Sequence, residues 1–302
     1  MVIDKETNKV FFSDQLFADS RYGDTFDRIC SVLEKHQIEH GIINSTKDIW
    51  CRDYMPIQKA ASKFIQFRYE PSYLAEDLDL QTDPKTTLEL NQIQATFSSI
   101  NVDGGNVLRW EDRVIITDRI FQENPAYTNK SKLVDELEKL FEAEVIVIPQ
   151  IKSDMTGHAD GLVRFYDRTT LIGNCLEEEY DYWKKGMKKV LSDYSLSYID
   201  MPFLEYKVKG YPESAIGCYV NYLEVANLIL APIFEVEGNK DEEAVGILTE
   251  VFADRTVEPI NINDVAIHGG LLNCISWNVI KGEYAYHTLP KTLGYLNSAD
   301  CL

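Results

Sequence analysis

The feature that most limits how this chain can fold is a recurring module: two short strands joined by a tight turn, then an amphipathic helix, then a third strand. Residues 107–110 and 114–117 flank a turn at Glu111-Asp112 and read as a hairpin. Apolar residues at helical spacing predict a helix over 132–141, and 144–148 reads as a strand. The next copy has a hairpin of 162–165 and 170–173 around Asp167-Arg168, a helix over 179–194 and a strand over 197–201. A third pairs 218–225 with 228–232 across Ala226-Asn227, with a helix over 242–252 and a strand over 257–262. An earlier copy pairs 56–58 with 64–68 and continues through a helix over 86–93. The fifth has to be assembled from both ends, joining strands around Cys274 to a helix over 24–35 and a strand over 38–43.

A module period of roughly 50–60 residues lies in the range of radial or stacked repeats. No low-complexity stretch or Gly/Ser linker marks a domain boundary. The expectation is one catalytic α/β domain over 1–302, a five-bladed propeller of ββαβ-type modules. Closure joins the termini and removes most open sheet edges.

The chemistry-bearing residues fall at the starts of these modules. They are Trp50-Cys51-Arg52-Asp53, Asp103-Gly104-Gly105-Asn106, Gly157-His158-Ala159-Asp160 and the run from Gly269 through Asn273-Cys274. Radial symmetry would bring them together at one end of the axis. They supply three carboxylates, an imidazole and a thiol. A guanidinium is planar and permanently charged, and paired carboxylates grip it in its plane. A thiolate can attack its carbon, and the bound cation helps ionise the thiol. A histidine can protonate the leaving amine and then activate water. Cys274, His158, Asp53, Asp103 and Asp160 therefore make a coherent deiminase site.

Plainer readings stand beside this one. Cysteine is usually a small buried hydrophobe, Asp-Gly-Gly is a common turn, Asp53 could merely pair with its neighbour, and Trp50 could be core. His268 reads as structural, and Glu177-Glu178-Glu179 as a solvated first helical turn. His158-x-Asp160 could be half a metal site, but the five histidines (His36, His40, His158, His268, His287) show no paired spacing, so no metal is expected. No Gly-rich phosphate loop is present, and no cofactor is expected.

At these motifs the chain resembles the agmatine deiminase and bacterial peptidyl-arginine deiminase family, within the guanidine-modifying superfamily. The matching pieces are Trp50-x-Arg52-Asp53-x-x-Pro56, Asp103-Gly104-Gly105-Asn106, Gly157-His158-x-Asp160-x-x-x-Arg164-Phe165 and Gly269-Gly270-x-x-x-Cys274; Tyr219-Val220-Asn221-Tyr222 is similar to the family's Ser-Tyr-x-Asn-Phe. The resemblance implies a five-bladed α/β propeller, Cys274 as nucleophile and His158 as general acid/base. It implies Asp53 and Asp160 as guanidinium ligands, with Asp103 orienting His158 or touching the guanidinium. Trp50, Arg164 and Asn106 complete the expected substrate-binding set, Trp50 as an aromatic face over the cation. Agmatine is the implied substrate, in polyamine biosynthesis. Peptidyl-arginine or arginine deimination, amidino transfer, and a guanidinium-binding pseudoenzyme stay open. The chain departs from the family at Met55 (usually Gly), Asn273 (usually His) and Ser276-Trp277 (usually part of Thr-x-Gln), all around the pocket rim.

Composition sets outer bounds. A net charge of −19 argues against nucleic acid and anionic membranes. No apolar run is long enough to span a membrane, and the charged start at Met1–Glu6 lacks a signal-peptide core. Six scattered cysteines (Cys30, Cys51, Cys175, Cys218, Cys274, Cys301) read as reduced thiols in a cytoplasmic compartment. The expected partner is a small cationic guanidine; nothing in the sequence decides between monomer and homo-oligomer.

Overall fold

The structure, a computed structural model, describes residues 1–281. It is an α/β fold of five small mixed sheets, each with three strands. The strands are β1 (Lys9–Ser13), β2 (Glu39–Ile43), β3 (Ile57–Ala60), β4 (Lys63–Arg68), β5 (Thr96–Asn101), β6 (Leu108–Trp110), β7 (Arg113–Thr117), β8 (Glu144–Ile148), β9 (Val163–Asp167), β10 (Thr170–Asn174), β11 (Ser197–Met201), β12 (Leu223–Val225), β13 (Leu228–Ile233), β14 (Thr256–Asn261) and β15 (Ser276–Val279). In every sheet the first strand is antiparallel to the second, and the second is parallel to the third. A parallel step needs a crossover, and a helix supplies it each time.

Those helices are amphipathic. Gly23–Lys35 buries Phe26, Ile29 and Leu33, and Lys130–Phe141 buries Leu133, Leu137 and Phe141. Pro84–Leu90 starts on an Asp83 cap with Pro at its first turn, and Asn129 caps Lys130–Phe141. Asp181–Asp193 and Asp241–Val251 complete the set. The middle strands are sandwiched between neighbours, and all of Val114, Ile115 and Ile116 are buried.

The first strands of the five sheets carry a polar residue at the same register: Gln58, Arg109, Arg164, Glu224 and Asn278 face Phe64, Val114, Ile172, Ile229 and Val10. Buried charges must be paired, and these are. Asp4 accepts from Arg109 at 2.6 Å, Arg164 at 2.7 Å and Asn278 at 3.2 Å. Glu224 pairs with Arg255. Gln58 bridges to the main chain of Ile280. Burial alone would resist the Asp4 charge, but Arg109, Arg164 and Arg52 outweigh it and hold the carboxyl well below its usual range.

The fifth sheet is built from both ends of the described chain, with β15 antiparallel to β1 and β1 parallel to β2. Several expectations shift. Strand β1 has no counterpart in the sequence reading, because Val-Phe-Phe is too short a run to separate from helix or loop. The strand expected over 218–225 shrinks to Leu223–Val225, and the segment before it turns toward the other module starts. Glu177 and Glu178 lie in a separate 3-10 turn, where Glu177 takes Lys184 and Lys188. His287 and Cys301 lie outside the described residues.

Candidate active site

Every candidate side chain but Arg164, which lies on β9, stands in the loop that enters a first strand. Asp53 is in the single turn Cys51–Tyr54 before β3, and Asp103 precedes the 3-10 turn Gly104–Asn106 before β6. His158 and Asp160 precede β9, Asn221 precedes β12, and Asn273 and Cys274 precede β15. The repeat thus converts separations of 50 residues or so into contacts, as expected for radial modules.

His158 sits between two carboxylates. Its Nε2 is 2.8 Å from Asp103 Oδ2, and its Nδ1 is 3.6 Å from Asp53 Oδ1. The Gly105 N–H donates to Asp53 Oδ1 at 3.0 Å, and the Asp160 N–H donates to the Gly105 carbonyl at 3.2 Å. A side chain at position 105 would put its Cβ 2.6 Å from Asp53 Oδ1 and 2.7 Å from His158 Nδ1. Only glycine leaves room for the three groups to converge.

Cys274 is half-buried, with Sγ 3.6 Å from Asp160 Oδ2. Asn221 donates its Nδ2–H to that sulfur at 3.3 Å and to the Asp160 carbonyl at 3.2 Å, and its Oδ1 accepts the Asn273 N–H at 3.0 Å. Asn273 Nδ2 donates to Asp160 Oδ2 at 2.7 Å. Trp50 lies against the nucleophile loop so closely that a Cβ on Gly270 would meet its ring at 2.3 Å.

The electrostatics follow from carboxylates in a dry place. Burial, then Asp160 and Asp53, push the Cys274 thiol well up. Burial also pushes Asp53 up, with Asp103 and Asp160 adding to it against the pull of His158. Burial works against the His158 charge, but Asp53 and Asp103 prevail and raise it to about 10. The site therefore holds a protonated imidazole and a protonated thiol, among carboxylates that a cation would satisfy. A guanidinium placed among Asp53, Asp160 and Cys274 would offset the two carboxylates that, together with burial, keep the thiol neutral.

Asp53, Asp103, His158, Asp160, Cys274 and Trp50 are brought together. Two expected substrate ligands are not with them. Arg164 points along β9, where its guanidinium is taken by Asp4 and by the Tyr222 carbonyl at 2.8 Å, over the Tyr222 ring. Asn106 accepts the Thr117 N–H at 2.9 Å and ties its turn to β7. Both are buried and make these bonds within the framework. His268 is wedged edge-on between Tyr22 and Tyr211, and burial lowers its proton affinity. Asn221 and Asn273 gain direct contacts with the thiol and with Asp160. Asn221 was visible only as part of a family-like segment, and Asn273 only as a departure. Tyr73, whose hydroxyl reaches Asp103, had no sequence signal. Among the described residues no group of His, Cys, Asp and Glu is arranged to hold a metal ion.

A family model described as Porphyromonas-type peptidyl-arginine deiminase matches residues 17–279. That match defines the class: deiminases that act on guanidino groups. The chain belongs to the Porphyromonas-type peptidyl-arginine deiminase family. Among solved structures, it is similar to a Porphyromonas gingivalis protein provisionally assigned as an arginine deiminase, with 17% identity, TM-score 0.76, and 93% of this chain and 98% of that one covered. It is also similar to C. jejuni agmatine deiminase, at 16% identity, TM-score 0.73, and 93% and 96% coverage. The Enterococcus faecalis agmatine deiminase follows at 14% identity, TM-score 0.71, and 91% and 93% coverage. No curated protein sequence matches the chain.

Proposed function

We propose that this chain, as one domain whose five sheets close into a propeller, is a thiol-dependent deiminase. It converts a guanidino group and water into a ureido group and ammonia. The observation that carries this reading is the placement of Cys274 Sγ 3.6 Å from Asp160 Oδ2, beside a His158 bracketed by Asp53 and Asp103. Asp53 and Asp160 grip the guanidinium, and Trp50 lines its entry. With the cation bound, Cys274 loses its proton to solvent, and the thiolate adds to the guanidinium carbon. The tetrahedral adduct collapses as His158 gives its proton to one nitrogen, which leaves as ammonia. The S-alkylthiouronium that remains is attacked by water, whose proton His158 takes. The second adduct expels the Cys274 thiolate and loses its hydroxyl proton to solvent, which releases the neutral ureido product.

Agmatine is the proposed substrate, in a cytoplasmic role in polyamine biosynthesis. Support comes from the fold shared with agmatine deiminases, one of which, from C. jejuni, was captured with substrate bound in a Cys-to-Ser variant. The family description favours a peptidyl-arginine instead. Ammonia and ureido-product formation with agmatine, arginine and a blocked arginyl peptide separates the two. Turnover should appear with agmatine and vanish in Cys274→Ala. No turnover of any guanidine by folded protein would overturn the deiminase reading.

A further inference from the structure

One residue at the site comes from outside the five entering loops. Residues 69–83 link β4 to the helix Pro84–Leu90, and within them the 3-10 turn Ser72–Leu74 carries Tyr73. The Tyr73 ring meets the His158 ring edge-on, with centroids 6.1 Å apart and planes at 70°. Its hydroxyl donates to Asp103 Oδ2 at 3.1 Å, the same oxygen that lies 2.8 Å from His158 Nε2. Burial, then Asp103, push the phenol well up, so it stays an O–H donor.

The turn is pinned beside it. Ser72 donates its amide to Glu123 at 3.0 Å and its hydroxyl at 2.6 Å, and Arg119 donates to Ser72 Oγ at 2.9 Å and to Glu123 at 2.7 Å. The charged and titratable groups facing His158 are Asp53 and Asp103 from two other loops, Asp160 from its own, and Tyr73.

We propose that Tyr73 is a positioning residue that sets the proton affinity of His158 through Asp103, an inference that rests on the deiminase reading for its purpose but not for its geometry. An acceptor oxygen shared by two donors holds each less strongly than one serving a single donor. With the Tyr73 hydroxyl in place, Asp103 Oδ2 grips the imidazolium less tightly. The imidazole can then give its proton to the departing ammonia and, once neutral, take one from water. Without the hydroxyl, Asp103 becomes a stronger partner for His158 and the proton is held too well. The ring itself packs on the imidazole, so Tyr73→Phe removes the hydroxyl and keeps the wall.

The test reads the proton directly. Histidine-labelled protein without substrate is titrated by NMR, with the His158 resonance assigned from its loss in His158→Gln. In Tyr73→Phe the His158 midpoint should rise by about half a unit or more. With substrate, kcat should fall severalfold, KM should hold, and the alkaline limb of the rate profile should move up. A single 3-fluorotyrosine at position 73, a stronger donor, should move the midpoint down. This reversal tests the inference even if the phenylalanine variant folds poorly. An unmoved midpoint in either folded protein, or a fall in Tyr73→Phe, would overturn it. Because the titration needs no turnover, a shifted midpoint in a protein that turns over no guanidine would sink the deiminase reading alone. An unmoved midpoint in an active enzyme would sink the Tyr73 role alone.

Discussion

The main-chain N–H of Arg52 donates to the carbonyl oxygen of Cys274 at 3.1 Å, so the loop that carries Asp53 and the loop that carries the thiol are bonded to each other. The Arg52 side chain strengthens the link. Its Nε–H donates to the Asn273 carbonyl at 3.1 Å and its Nη2–H to Asn278 Oδ1 at 2.7 Å. Arg52→Lys keeps the charge but cannot span both acceptors. The expected cost is about 1–3 kcal/mol of stability, since a buried acceptor is left unmet. The thiol loop should also lose its fixed position, lowering kcat about tenfold or more while the main-chain bond remains. Thermal denaturation and steady-state kinetics on the same preparation check both.

Asp4 is the counter-ion of the central arginines, and Asp4→Asn tests that role. Removing one partner of a buried charge cluster should cost about 3–5 kcal/mol at neutral pH. The sign of the pH dependence is fixed by the depressed carboxyl. Its stabilising contribution is complete above the ordinary value of 3.8 and is lost as pH falls through the lower folded value. Urea denaturation should therefore show a large deficit for the variant at pH 7 that narrows on acidification. A deficit independent of pH would mean that Asp4 acts by packing alone.

Much of this arrangement was legible in the chain, and for identifiable reasons. Helices such as Lys130–Phe141 and the strands beside them announce themselves by period, and the period places Asp53, Asp103, His158, Asp160 and Cys274 at equivalent loop positions. Strand β1 was not legible, because five residues that pair with β15 from the far end of the described chain carry no local signature. The place of Arg164 in its motif suggests a substrate contact. Its register on β9 instead aims it at Asp4, a residue 160 positions away. Tyr73 was invisible because tertiary packing alone brings its turn to His158.

His158 makes the site itself pH-sensitive in stability. Its folded affinity, raised to about 10 from 6.5, means that its contribution is fully present below pH 6.5 and is lost as pH climbs toward 10. Asp53, also raised by burial, changes stability in the same direction, since the folded protein holds its proton to higher pH. Wild-type stability should fall between those limits, and His158→Gln should flatten the slope. Denaturation midpoints across that range, compared for the two proteins, settle it. A parallel slope would deny the ion pairing.

Asp160 holds two opposed roles that one substitution can separate. In the proposed reaction its carboxylate grips the substrate, yet in the empty site it helps keep Cys274 protonated. Asp160→Asn removes that negative neighbour, so the thiol should ionise at lower pH even as catalysis collapses. Alkylation by iodoacetamide reads thiolate directly. The variant should react faster than wild type near neutrality, with its rate curve displaced toward lower pH. An unchanged rate curve would mean that burial alone sets the thiol.

Asn273 stands where the family usually has histidine, and the structure gives it two contacts in the site. Its Nδ2–H donates to Asp160 Oδ2 at 2.7 Å, and its amide holds Asn221 Oδ1 at 3.0 Å. The second contact uses the main chain and survives any replacement. The first depends on the side chain, and it fixes the oxygen nearest to Cys274 Sγ. Asn273→Ala should leave that carboxylate free to turn and short of a donor. The loss is expected at about 1–3 kcal/mol, or roughly 5- to 150-fold in kcat/KM. Asn273→His restores an N–H donor on a side chain of similar reach and should recover most of the activity. If histidine fails where asparagine works, the pocket has been reshaped around the amide. If alanine works as well as asparagine, the carboxylate is held by something other than this bond.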